Sequence, residues 1–206
     1  MYFAGIMFEE ILKAANRYDE GLAQVHSRQD QWLASHERVR DHLKAIADYL
    51  NVNARYQQGF FVDTLLAFNE GMRGTNNRMP SVEFRSGPMP MPLTFRNSIG
   101  EKMTYKEEGF NISFTPTITG QVIVLLQPHY SDLEEDQSQI VPMGVFNEPS
   151  QITNDVIEEI VAKGMQIAFY SSFTGMAERQ GEEGEELNPV KRNPIGFRRH
   201  DTTEKI

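Results

Sequence analysis

The chain has five histidines and no cysteine, and these two facts bound the chemistry open to it. Without thiols there is no disulfide, no thiolate metal ligand and no cysteine nucleophile. Imidazole is left as the versatile group, a proton acceptor near neutral pH or a metal ligand. The histidines are His26, His36, His42, His129 and His200; none forms an HExxH pair and none lies four residues from another. The helical spacing that puts two imidazoles on one metal is therefore missing.

Histidine, phenol and carboxylates run together in His129-Tyr130, followed by Ser131-Asp132-Leu133-Glu134-Glu135-Asp136. Asp132, Glu134 and Asp136 alternate as hard oxygen ligands would, but the glycine and the closing glutamate of an EF-hand loop are absent. His129, Tyr130 and these carboxylates are a candidate ligand or acid–base site. The simpler reading is a solvated acidic loop. No metal or organic cofactor is expected.

Nucleotide-binding and nucleophile signatures are missing: the sequence has no Gly-x-Gly-x-x-Gly, no Walker lysine and no Gly-x-Ser-x-Gly. Phe84, Arg85, Phe95 and Arg96 could stack on nucleobases from a sheet surface. Charge argues against it, because residues 79–176 carry 5 basic and 12 acidic groups, a balance of -7 within a chain total of -9. Such a region repels a phosphate backbone. The basic stretch Lys191 to His200 is a better recognition element for a protein or an anionic surface, unless it only solubilises.

The elements around these residues begin with a long helix, from about Phe8 to Leu50. In strict 3–4 alternation its seam is Phe8, Ile11, Ala15, Tyr18, Leu22, Val25, Gln29, Trp32, His36, Val39, Leu43, Ile46 and Leu50. Eleven of these thirteen are apolar against 39% for the whole chain, and no proline interrupts the span. That periodicity predicts a helix of roughly 65 Å with one apolar stripe. Leu12, Leu33 and Ala47 widen the stripe on one side and Met7, Ala14 and Tyr49 on the other, which suits a bundle or a higher-order coiled coil. Gln29 and His36 interrupt it. Polar seam residues set register or oligomer number, and three copies of His36 meeting on an axis could hold an ion.

A second helix is expected from about Asn53 to Met72, on the stripe Phe61, Leu65, Phe68 and Met72. If the chain turns at Asn51-Val52-Asn53, this helix covers only about 30 Å of the first. The uncovered seam then calls for another copy of the chain.

Beyond the turn-rich Gly71–Pro80 the period becomes alternating. Short strands are read at Val82–Arg85 and Leu93–Arg96, joined by an extended polyproline linker, Gly87–Pro92. Further strands are read around Met103 and Tyr105, at Phe110–Thr115, at Val122–Leu126 as a buried central strand, and at Ile140–Phe146 as an edge strand. A helix from about Thr153 to Tyr170 would cover the sheet with Val156, Ile157, Ile160, Val161, Met165, Ala168 and Phe169. From Ala177 onward, with the acidic run Gly181–Glu186, a disordered tail is expected.

The expected fold is thus α+β: a long heptad-patterned helix with a second helix in a bundle or coiled coil, then a small antiparallel sheet or sandwich covered by a C-terminal helix. The expected units are residues 1–73 for oligomerisation, 79–175 for the β module and 176–206 for the charged tail. No apolar run approaches the roughly 20 residues that span a bilayer, and the opening residues lack the basic flank of a signal peptide. A cytoplasmic location is expected. The functional expectation is a non-enzymatic homo-oligomeric adaptor or scaffold that binds a protein partner through its acidic β module. The alternatives are a small-ligand-binding module and an enzyme using the His129 region.

Overall fold

A computed structural model describes residues 3–66, 79–96, 98–131, 140–173 and 175. The fold mixes helix and sheet. A 51-residue helix, α1 (Phe3–Asn53), is followed by strands β1 (Phe60–Leu66), β2 (Pro80–Ser86), β3 (Met89–Arg96), β4 (Lys102–Glu108), β5 (Asn111–Pro116), β6 (Val122–Gln127), β7 (Tyr130–Ser131) and β8 (Val141–Phe146). A short 3-10 turn, Pro149–Gln151, leads into α2 (Asn154–Ser171). Five strands form one antiparallel sheet in the order β1-β2-β5-β6-β8, and β3-β4-β7 form a smaller one.

The large sheet buries one face, as period-2 alternation requires. Val82 and Phe84 of β2, Ile112 and Phe114 of β5, and Val122, Val124 and Leu126 of β6 are fully buried there. Both helices join the same core. Trp32, Val39, Leu43 and Ala47 contribute from α1, and Ile157, Ile160, Val161 and Ala168 from α2. Each large apolar side chain so buried contributes about 1.5–3 kcal/mol. α2 comes close because Gly164 presents no side chain: a Cβ there would lie 2.5 Å from Ile112 Cδ1. Thr153 caps α2, its side chain accepting from the Val156 amide.

α1 ends in a clasp. Asn51 Nδ2 donates to the Phe60 carbonyl at 2.9 Å, and its Oδ1 accepts from the Phe60 amide at 2.7 Å. Gly59, at φ 76°, supplies the left-handed turn into β1.

Four expectations need correction. The second helix, read from Asn53 to Met72, is absent over its described part: the chain turns after Asn53 and forms β1 from Phe60 to Leu66. Phe61 and Leu65 fit a helical stripe and an alternating strand equally well. The decision comes from β2, whose edge pairs with β1 from Phe60↔Ser86 to Leu66↔Pro80. The polyproline linker is also mostly strand, since Met89–Arg96 forms β3. β3 is an edge strand with a bulge between Pro90 and Thr94, so the missing proline donors are tolerated. The strands number eight among the described residues, β1 and β7 adding to the six positions read from the sequence. β6 is interior but lies fourth in order, with β5 central and β8 at the edge as expected. Phe68, Met72 and residues 71–78 of the expected boundary lie outside the described residues, as do the acidic run Gly181–Glu186 and the basic stretch Lys191–His200.

Candidate functional site

At one end of the core, where α1 stops and α2 finishes, lies an open cavity of about 490 Å³. The turn after α1 supplies Ala54, Arg55 and Tyr56; β1 and β3 supply Phe60 and Met89; the turns before β5 and after β6 supply Phe110 and His129. Met165 and Phe169 of α2, with Ser172 just beyond it, close the wall.

Aromatic packing holds this wall in place. Phe60 and Phe84 stack with centroids 5.8 Å apart, Phe60 and Phe110 lie 6.4 Å apart, and Tyr56 leans on Phe60 at 5.2 Å. His129 meets Phe110 edge-on at 5.6 Å and 82°. The turns beneath are tight: a Cβ on Gly109 would lie 1.9 Å from the Ser86 carbonyl oxygen, and one on Gly87 would lie 2.2 Å from that of Gln58.

The polar groups of the wall are largely engaged with the protein. The Tyr56 hydroxyl donates to the Gly87 carbonyl at 2.9 Å. Ser172 Oγ donates to the Phe169 carbonyl at 2.7 Å and accepts from the Gly175 amide at 3.2 Å. Burial raises the Tyr56 phenol, opposed by its hydrogen bond with Ser86 and reinforced by the Glu107 charge. It is therefore neutral at physiological pH.

His129 Nδ1 lies 3.0 Å from the Glu108 carbonyl. A carbonyl only accepts, so Nδ1 carries the proton and Nε2 of the neutral ring is an acceptor. Burial holds this imidazole below its ordinary 6.5, the hydrogen bond to Glu108 opposing. The unfolded chain thus binds the proton more readily than the folded one. Its contribution to stability is at its best above pH 6.5 and declines as pH falls below that value. Urea midpoints for the wild type should drop between about pH 7.5 and pH 5.5, and the drop should be smaller for His129→Phe.

The structure divides the expected site residues. His129 is buried in the cavity wall, and Tyr130 begins β7, paired with Glu108. Asp132, Glu134 and Asp136 lie outside the described residues. Among the described residues no group of three or more histidines, aspartates and glutamates is placed to hold a metal. Phe84 is not a stacking platform, because it is buried in the core, and Arg85 instead lies over the Phe61 ring at 5.5 Å and pairs with Asp63 at 2.5 Å. Tyr56, Phe60 and Phe110 were not singled out by motif reasoning. Their signal is the repeated pair Gly59-Phe60 and Gly109-Phe110, where a tight turn delivers an aromatic ring to the end of the sheet.

The helical seam is also divided. Trp32, Val39 and Leu43 are fully buried in the chain's own core, and Ile46 and Leu50 pack against it. Val25 is half-buried, and the turn at Gly120 packs on the helix there: a Cβ on Gly120 would lie 3.0 Å from the Val25 carbonyl oxygen. Gln29 Nε2 donates to the Ile118 carbonyl of that turn at 3.1 Å. His36 Nδ1 bonds the Leu33 carbonyl of its own helix at 2.8 Å. Every residue from Phe8 to Gln24 is exposed, including Phe8, Ile11, Ala15, Tyr18 and Leu22 of the seam. Phe8 is 70% and Tyr18 81% accessible.

No described helix is long and apolar enough to cross a membrane. No protein-family model matches the chain, and no curated protein or solved structure is significantly similar to it.

Proposed function

We propose that the protein is a non-enzymatic scaffold that assembles through the projecting half of α1 and presents its β body to a protein partner. One observation carries this reading: the apolar seam runs on past the body along Phe8–Gln24, and none of the described residues covers it there. That arm is roughly 25 Å long at the helical rise. A helix of its length is marginal alone in water, and a stripe of Phe8, Ile11, Leu12, Tyr18 and Leu22 is costly to leave wet. A second copy supplies the matching stripe, in keeping with the prevalence of symmetric homo-oligomers.

The body favours an antiparallel pair of arms. From Val25 onward, the face of α1 that carries the seam is occupied by the sheet and by the Gly120 turn. Two parallel helices packed 8–10 Å apart would need both bodies in the space between them. Antiparallel arms place each body beyond the N-terminal end of the partner's arm. The surface left for a protein partner includes the outer face of the large sheet, where Phe61, Leu65 and Val145 are exposed.

Sedimentation equilibrium tests the assembly. A dimer or larger species is expected at micromolar concentration, and Leu22→Glu should reduce it to monomer with the circular dichroism of the body retained. A wild-type protein that stays monomeric at about 100 µM would sink the proposal. Because the chain has no cysteine, Leu22→Cys reports orientation directly. A dimer that forms no disulfide on oxidation supports antiparallel arms, and ready self-cross-linking would establish parallel ones.

A further inference from the structure

We propose that the cavity at the end of the core is a binding site for an aromatic alcohol of about two rings, whose hydroxyl donates to His129 Nε2 while its rings lie among Phe60, Phe110 and Phe169. The inference is independent of the arm and of assembly.

Size and lining set the body of the ligand. A volume of about 490 Å³ falls within the range of small-molecule sites, which are mostly apolar with a few placed polar groups. Phe60, Phe110, Phe169, Met89 and Met165 supply half of the residues of this wall. Aromatic rings favour offset or edge-on neighbours, and methionine sulfur adapts to ring edges. Arg55 also lines the cavity, and this one cation of the lining is exposed to solvent.

The hydrogen-bond inventory sets the functional group. The Tyr56 hydroxyl proton is given to Gly87, the Ser172 hydroxyl proton to Phe169 and the His129 Nδ1 proton to Glu108. The side-chain protons of Tyr56, Ser172 and His129 are therefore spent on the backbone, which leaves the exposed Arg55 as the lining side chain with protons to give. His129 Nε2 has no protein partner among the described residues. A ligand bearing only acceptors, such as an ether or a ketone, finds no free donor on Tyr56, Ser172 or His129, whereas a hydroxyl completes His129. Sites built to meet one polar group discriminate against analogues that lack it.

Fluorescence titration of the 206-residue chain with 2-naphthol and with 2-methoxynaphthalene tests this directly. Both have the same rings, and only the first has a hydrogen to donate. Saturable 1:1 binding is expected, with 2-naphthol bound about tenfold more tightly. His129→Phe should erase that preference while 2-methoxynaphthalene still binds. Met165→Trp, which fills the cavity and leaves His129 in place, should abolish binding of both. Leu22→Glu should bind as the wild type does, separating the cavity from the apolar arm. Absence of saturable binding, equal affinity for the two probes, or a preference that survives His129→Phe would each overturn the proposal. Circular dichroism on each variant identifies those that have not folded, and the wild-type comparison of the two probes decides the matter without them.

Discussion

Leu43→Glu is expected to abolish folding, whereas the same substitution at Leu22, on the same helical seam, leaves the body intact. Leu43 is fully buried between α1 and the sheet, while Leu22 is 55% accessible. Glutamate at position 43 loses the burial energy of leucine, about 1.5–3 kcal/mol. It also places a carboxylate in the apolar core, one turn from the buried Val39 and Ala47, and an unpaired charge in such surroundings costs several kcal/mol more or forces protonation. A domain of this size has about 5–15 kcal/mol in total. The expected readout is loss of the cooperative urea transition at neutral pH, with partial recovery in acid as the carboxyl becomes neutral. Leu22→Glu should keep the transition and change only the sedimentation behaviour. A Leu43→Glu protein that unfolds cooperatively with a wild-type midpoint would show that α1 is not anchored to the sheet by this seam.

Trp32→Ala is the second large effect, expected to cost about 3–5 kcal/mol for the lost ring and the cavity it leaves. Trp32 is the chain's single tryptophan and is fully buried. Its indole Nε1 donates to the Pro80 carbonyl at 2.7 Å, tying α1 to the first residue of β2. Removal of the indole leaves that carbonyl without this donor in a dry place, adding to the packing loss. Trp32→Phe separates the two contributions, because it keeps much of the ring volume and deletes the donor; about 1–3 kcal/mol is expected. Urea denaturation followed by far-ultraviolet circular dichroism measures both. Losses below about 1 kcal/mol for Trp32→Ala would contradict the placement of this side chain in the core.

These two residues also illustrate what periodicity reveals. A count of every third and fourth residue identifies an apolar stripe from Phe8 to Leu50 and hence a helix, because a 3.6-residue turn brings those side chains to one face. It does not say what covers the stripe. Trp32, Val39 and Leu43 face their own sheet and Phe8, Ile11 and Leu22 face solvent, yet all six satisfy the same pattern. The difference arises at the Gly120 turn, nearly a hundred residues away in sequence, where the body meets the helix beside Val25.

The stretch from Phe60 to Leu66 shows the opposite case, in which local pattern admits two periods. Phe61 and Leu65 are four apart, as on a helix, while Phe60 and Val62 alternate with Phe61 and Asp63, as on a strand. Long-range pairing with β2 decides, because backbone groups at the end of a sheet gain a full ladder of partners. The cavity was illegible for the same reason. Its wall gathers side chains from positions 54 to 172, which no spacing rule connects.

By itself, the sequence determined the long helix, the antiparallel β region and the covering helix α2, because helical and strand periodicity are written in consecutive residues. Tertiary structure alone decided which half of the seam is spent within the chain, that Phe60–Leu66 is an edge strand, and that His129 is a buried acceptor in an aromatic wall. Those outcomes depend on contacts between distant segments, whose energies exceed the small local preferences that a linear pattern records.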